Sequence, residues 1–124
     1  MNVVSHDRAA AIRRAAWHMR VYGFEILDLD WESGEYSLDL VAHDPDVDMD
    51  MLIVVHVQVP DSGDLSQDIA RISAERIAQL RAAPSAWMSE RLARYSMVRA
   101  DVIGFTVDES AEPNLRHMPG SGLR

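Results

Sequence analysis

Two hydrophobic periods run along this chain, and the switches between them mark its elements. Ala11, Ile12, Ala15, Ala16 and Met19 recur every three or four residues, the stripe of an amphipathic helix. Ser5 or Asp7 is placed to cap it and Gly23 to end it near Tyr22. The period then falls to two: "FEILDLDW" alternates apolar with acidic residues, as a strand with one wet face does. "ESGE" reads as a turn. "YSLDLVA" is a second strand, with Tyr36, Leu38, Leu40 and Ala42 assigned to one face and Ser37 and Asp39 to the other.

After the acidic loop "HDPDVDMD" comes "LIVVHVQVP", part of a third strand over about 51–59 that Pro60 ends. Six of its nine residues are aliphatic, mostly β-branched, which marks a strand buried on both faces. His56 and Gln58, two residues apart, share a face with Val54, while Val55, Val57 and Val59 line the other. "DSGDLSQD" reads as a polar loop with room for one helical turn. Ser73 then caps a helix whose stripe is Ile77, Leu80, Pro84, Trp87, Met88, Leu92 and Tyr95, with Pro84 expected to divide it. "VRADVIGFTV" is a fourth strand, "NLRHMP" a short edge strand, and residues 119–124 a flexible tail. The order α-β-β-β-α-α-β-β predicts an α/β (α+β) domain over residues 1–118, a mixed central sheet of about five strands flanked by helices.

Composition narrows the chemistry. With 124 residues the chain makes one domain. It has no cysteine, which excludes disulfides and thiolate chemistry. All 12 basic residues are arginine, so lysine bases and Schiff bases are excluded too. The apolar runs are shorter than the roughly 18 residues of a membrane span, and the first residues lack a signal-peptide core, so the expectation is a cytoplasmic protein without a membrane partner. Net charge is −8, yet residues 25–68 hold 13 acidic residues and no arginine, which leaves the helices on either side comparatively basic.

Familiar motifs fail on inspection. Asp44, Asp46, Asp48 and Asp50 are spaced like calcium ligands, but an EF-hand loop from Asp44 needs Gly and Glu where Met49 and Val55 stand. The chain has no phosphate-binding glycine loop, nucleophile elbow or paired-histidine zinc spacing. What remains is Asp39 with His56 and Gln58. If their strands pair as a hairpin, Asp39 and Ser37 meet the histidine and glutamine across one ladder. That is the geometry of a metal-nuclease site, and equally of a buried polar network in which Asp39 satisfies His56.

Six stretches in order resemble the YraN family of small bacterial proteins, whose fold is restriction-endonuclease-like, of the PD-(D/E)xK type. They are "AAWHMRVYGFEILDLDW", "SLDLVA", "VVHVQVP", "ISAERIAQLRAA", "VRADVIGF" and "LRHMPG", together spanning about Ala15 to Pro119. The resemblance puts Asp39 on the family's aspartate, His56 on its glutamate, Gln58 on its lysine and Arg76 on a helix lysine. The family's helix-1 glutamate is missing near Ala11 and Ile12, and its Gly-Glu is displaced to Gly34 and Glu35.

The resemblance implies Asp39 and His56 as metal ligands and Gln58 as the water-placing residue of the catalytic set. With one carboxylate lost, the implied Mg²⁺ or Mn²⁺ site is weak or absent. The leading expectation is therefore a degenerate, non-catalytic module that binds nucleic acid or a protein, with Arg13, Arg14, Arg71, Arg76 and Arg81 as phosphate contacts. The alternatives are an active divalent-metal nuclease on structured or single-stranded DNA, and a protein-binding or homodimeric module joined through a sheet edge or the Trp87/Met88 helix.

Overall fold

The computed structural model describes residues 8–46, 50–59, 64–106 and 114–120. The elements are α1 (Arg8–Val21), β1 (Glu25–Ser33), β2 (Tyr36–His43), β3 (Met51–Gln58), α2 (Leu65–Ala70), α3 (Ala74–Arg91), β4 (Met97–Thr106) and β5 (Asn114–Met118). The five strands form one sheet in chain order. β1, β2 and β3 make an antiparallel meander, β3 and β4 run parallel, and β5 returns antiparallel to β4. A parallel pair needs a crossover, and α2 and α3 supply it. The central strand β3 is buried on both faces, as its aliphatic run predicts.

Helices cover both faces. Ala11, Ile12, Ala15, Ala16 and Met19 of α1 pack on Leu40, Ala42, Ile53, Val55, Val57, Ile103 and Phe105. Gly23, at φ 93°, ends the helix, and Phe24 N–H returns to the Met19 carbonyl. On the other face Leu80, Ala83 and Trp87 of α3 pack on Trp31, Leu38, Val41, Leu52 and Val54. Two indoles tie α3 to β1: Trp87 Nε1 donates to Asp28 (3.0 Å) and Trp31 Nε1 to Glu90 (3.2 Å). Trp87 thus faces the sheet and is buried.

Three expectations are corrected. The crossover helices divide at residues 71–73, not at Pro84, and α3 runs unbroken through that proline. Pro84 forfeits its own N–H bond and crowds the preceding turn, but the burial of Leu80, Ala83, Pro84 and Trp87 along one face holds the turns on either side together. Leu92, placed in the helix stripe, is instead the left-handed C-cap and is solvent-exposed. The single apolar face of β2 is also wrong: Tyr36 and Leu38 pack towards α3, but Leu40 and Ala42 pack towards α1. The alternation slips at Asp39, opposite a stretch of β1 where Asp30 takes a φ of 50°.

Two further packing features bear on stability. Ile103 and Phe105 face α1, so Gly104 faces α2, where a Cβ would lie 2.3 Å from Leu65 Cδ1. Asp101 of β4 is fully buried and accepts from Arg99 Nε (2.9 Å) and Nη2 (3.0 Å), His117 Nε2 (2.8 Å) and the Gly120 amide (2.8 Å). It thereby pins β5 and the turn after it to the sheet. The calcium-like loop and the expected tail fall partly outside the described residues.

Candidate functional site

The slip at Asp39 builds the site. The paired register of β2 and β3 ends at Leu40 and Val55. Past it the Asp39 side chain substitutes for backbone, its Oδ2 accepting from the Val57 amide at 2.9 Å. Arg8, at the start of α1, donates Nη1 to the Val57 carbonyl (3.1 Å) and Nη2 to the same Asp39 oxygen. One carboxylate and one guanidinium therefore close the loose end of the central strand.

From the opposite face α3 brings Arg76. Ser73 caps that helix by accepting from the Arg76 amide (3.0 Å), which aims the side chain back at the sheet. Its Nη1 donates to the Ser37 carbonyl (2.9 Å), the Ser37 hydroxyl (3.2 Å) and Gln79 Oε1 (3.0 Å). Its Nε donates to His56 Nδ1 at 3.4 Å. Its Nη2, without a hydrogen-bond partner among the described residues, points at Asp39 Oδ1 at 3.5 Å.

His56 and Gln58 sit side by side on the α3 face, as the alternation of β3 predicts. His56 Nε2–H donates to Gln58 Oε1 (3.0 Å), and Gln58 Nε2 donates to the Val59 carbonyl (3.1 Å). His56 Nδ1 lies 3.5 Å from Asp39 Oδ2. Burial lowers the His56 pKa below the ordinary histidine value; Gln58 and Asp39 push it up, Arg76 and Arg8 push it down. The imidazole is thus neutral, with its proton on Nε2 and its Nδ1 lone pair turned to Arg76.

These residues do not fit a divalent cation. Among the described residues Asp39 supplies the only carboxylate of the site, and both its oxygens face guanidinium groups. Asp39, Arg8 and Arg76 sum to a net positive charge, which repels Mg²⁺. Among the described residues no group of three or more histidine or acidic side chains could hold a metal.

Of the residues singled out from sequence, Asp39, His56, Gln58 and Arg76 converge. Arg13 and Arg14 lie exposed on α1, across the sheet from Arg71 and Arg81. Arg8 was missed, although a signal exists: an arginine in a first helical turn that has no acidic residue opposes the helix dipole.

The family model described as "Uncharacterised protein family UPF0102" matches residues 13–105, three-quarters of the chain and every element from α1 to β4. The chain belongs to the UPF0102 family. Its UPF0102 relatives include a protein of Mycobacterium sp. (strain JLS), 26% identical over 106 residues that cover 86% of this chain and 77% of the relative. Another, from Arthrobacter sp. (strain FB24), is 27% identical over 108 residues, covering 87% and 88%. A third, from Paenarthrobacter aurescens (strain TC1), is 27% identical over 106 residues, covering 86% and 84%. Each bears the name UPF0102 protein, and the matched span carries Asp39, His56, Gln58 and Arg76.

Proposed function

We propose that this protein is a non-catalytic nucleic-acid-binding member of its family, built on an endonuclease-like scaffold whose metal position has become an arginine clasp. The observation that carries this is the pair of guanidiniums on Asp39, one from each side of the sheet. A metal-dependent nuclease needs carboxylates free to coordinate and a charged group to stabilise the phosphorane. Here the carboxylate is engaged, the second ligand is a neutral imidazole, and Gln58 carries no charge. The net positive clasp disfavours a cation, and the exposed arginines Arg13, Arg14 and Arg20 of α1 offer the charge that phosphates need.

The test is calorimetry with Mg²⁺, Mn²⁺ and Zn²⁺ at millimolar concentration, together with single-stranded and branched DNA incubated with Mn²⁺. The expected result is no heat and no cleavage, with salt-sensitive oligonucleotide binding in EDTA. Cleavage that Asp39→Ala abolishes overturns the proposal, as does the absence of nucleic-acid binding at low salt.

A further inference from the structure

Among the described residues the large exposed apolar side chains are few, and the aromatic ones among them are Trp17 and Tyr22. Trp17 stands on the outer side of α1, turned away from the sheet and 66% exposed. Helix geometry places residues three and four apart beside one another, so Arg13, Arg14, Arg20 and Val21 surround the indole. All four are exposed. Among the described residues Arg13, Arg14 and Arg20 make no ion pair or side-chain hydrogen bond, whereas Arg8, Arg76, Arg91 and Arg99 all pair with aspartate. α1 carries no acidic residue at all. At its end Tyr22, 71% exposed, packs at a tilt against His18 with ring centroids 4.7 Å apart.

We infer that this face of α1 is the nucleic-acid surface and that its ligand is a single strand. The inference rests on the nucleic-acid-binding function proposed above and names its surface. A bare indole within a ring of guanidiniums is the arrangement that stacks an unpaired base and holds the phosphates on either side of it. A duplex keeps its base faces stacked inside and offers this indole nothing. The acidic β1–β2 hairpin of a second copy would match the charge but not the ring, because Trp31 is buried and Tyr36 half-buried. The α2–α3 side has exposed Arg71 and Arg81 but no exposed aromatic among the described residues, and its Arg76 is spent on Asp39.

The indole is also the reporter. Trp31 and Trp87 are 6% and 3% exposed, so a ligand that quenches intrinsic fluorescence on binding reads Trp17. The experiment titrates the full chain with a thymidine oligonucleotide of about 15 nucleotides, in EDTA and at several salt concentrations. Quenching is expected in the wild type and not in Trp17→Phe. Trp17→Ala should weaken binding about tenfold, as expected for losing one base stack. Replacing Arg13, Arg14 and Arg20 together by Gln should lower the salt slope by about 2, at roughly 0.7 per phosphate on a single strand.

Binding that both variants leave unchanged overturns this surface while the non-catalytic binding function stands. A duplex of equal length that binds as tightly overturns the single-strand assignment. No binding to any nucleic acid removes both proposals. If sedimentation shows a wild-type dimer that the triple variant disrupts, and no oligonucleotide binds, the face belongs to a second copy instead.

Discussion

Asp39→Asn separates an arginine clasp from a metal site by the sign of its effect on stability. The change keeps an oxygen for the Val57 amide, removes the charge and turns the other oxygen into an amide donor. The Arg76 side chain is 16% exposed and would keep no anionic partner. Removing one member of a buried ion pair costs about 3–5 kcal/mol, less where the substitute keeps an acceptor. Arg8, 45% exposed, adds about 1 kcal/mol at most because water screens it. The sum is about 2–4 kcal/mol, a large share of a total that is commonly 5–15 kcal/mol. At roughly 3–5 °C per kcal/mol for a domain of this size, the melting temperature should fall by about 6–20 °C. A site that holds a free carboxylate ready for a cation behaves oppositely, since neutralising unpaired negative charge stabilises the fold. Thermal melts followed by circular dichroism in EDTA decide between them. The arginine clasp is refuted if the variant melts at or above the wild type and Mn²⁺ raises the wild-type melting temperature.

Three other expectations follow from the packing and the buried ionisable groups. His56 is held below its ordinary pKa, so the unfolded chain takes up a proton that the folded chain refuses. Stability should therefore be full above about pH 6.5 and fall as pH drops through the folded value, and His56→Gln should flatten that part of a urea-unfolding profile. Burial alone would raise the Asp101 carboxyl, but hydrogen bonds from His117, Arg99 and Gly120 outweigh it and hold it low. Its contribution is present above the ordinary carboxylate range and is lost in acid, and Asp101→Asn should remove this second step. Gly104→Ala drives a Cβ into Leu65 and should cost about 1–3 kcal/mol by chemical denaturation, while adding Leu65→Ala should make the glycine change nearly neutral.

Much of the fold was legible because it follows from periods that side chains cannot hide. The stripe of α1, the buried run of β3 and the glycine stop at Gly23 are local consequences of spacing and backbone freedom. Pro84 was misjudged because a single missing N–H weighs less than an apolar face packed on a sheet, and no local rule contains that packing. β2 was misread because a strand's alternation holds only while the ladder is regular, and the slip at Asp39 depends on Arg8 and Val57. The convergence of Asp39, His56 and Gln58 was legible, since it needs only a hairpin and a period of two. The cations that fill the site were not, because Arg8 and Arg76 arrive from helices on opposite faces and only the tertiary fold brings them together.

The clasp also gives Asp39 a structural task of its own. Its work here needs no metal: it receives the Val57 amide where the ladder stops and neutralises Arg8, whose position at a helix N-terminus is otherwise unfavourable. It also faces an Arg76 guanidinium that is mostly buried. Its neighbours His56, kept neutral by burial, and Gln58 add no charge of their own. A glutamate at position 56 beside the paired Asp39, or a lysine at position 58 beside two guanidiniums, would leave an unmatched charge in a desolvated site. Asp39 is therefore the anion that holds Arg8, Arg76 and the Val57 amide together.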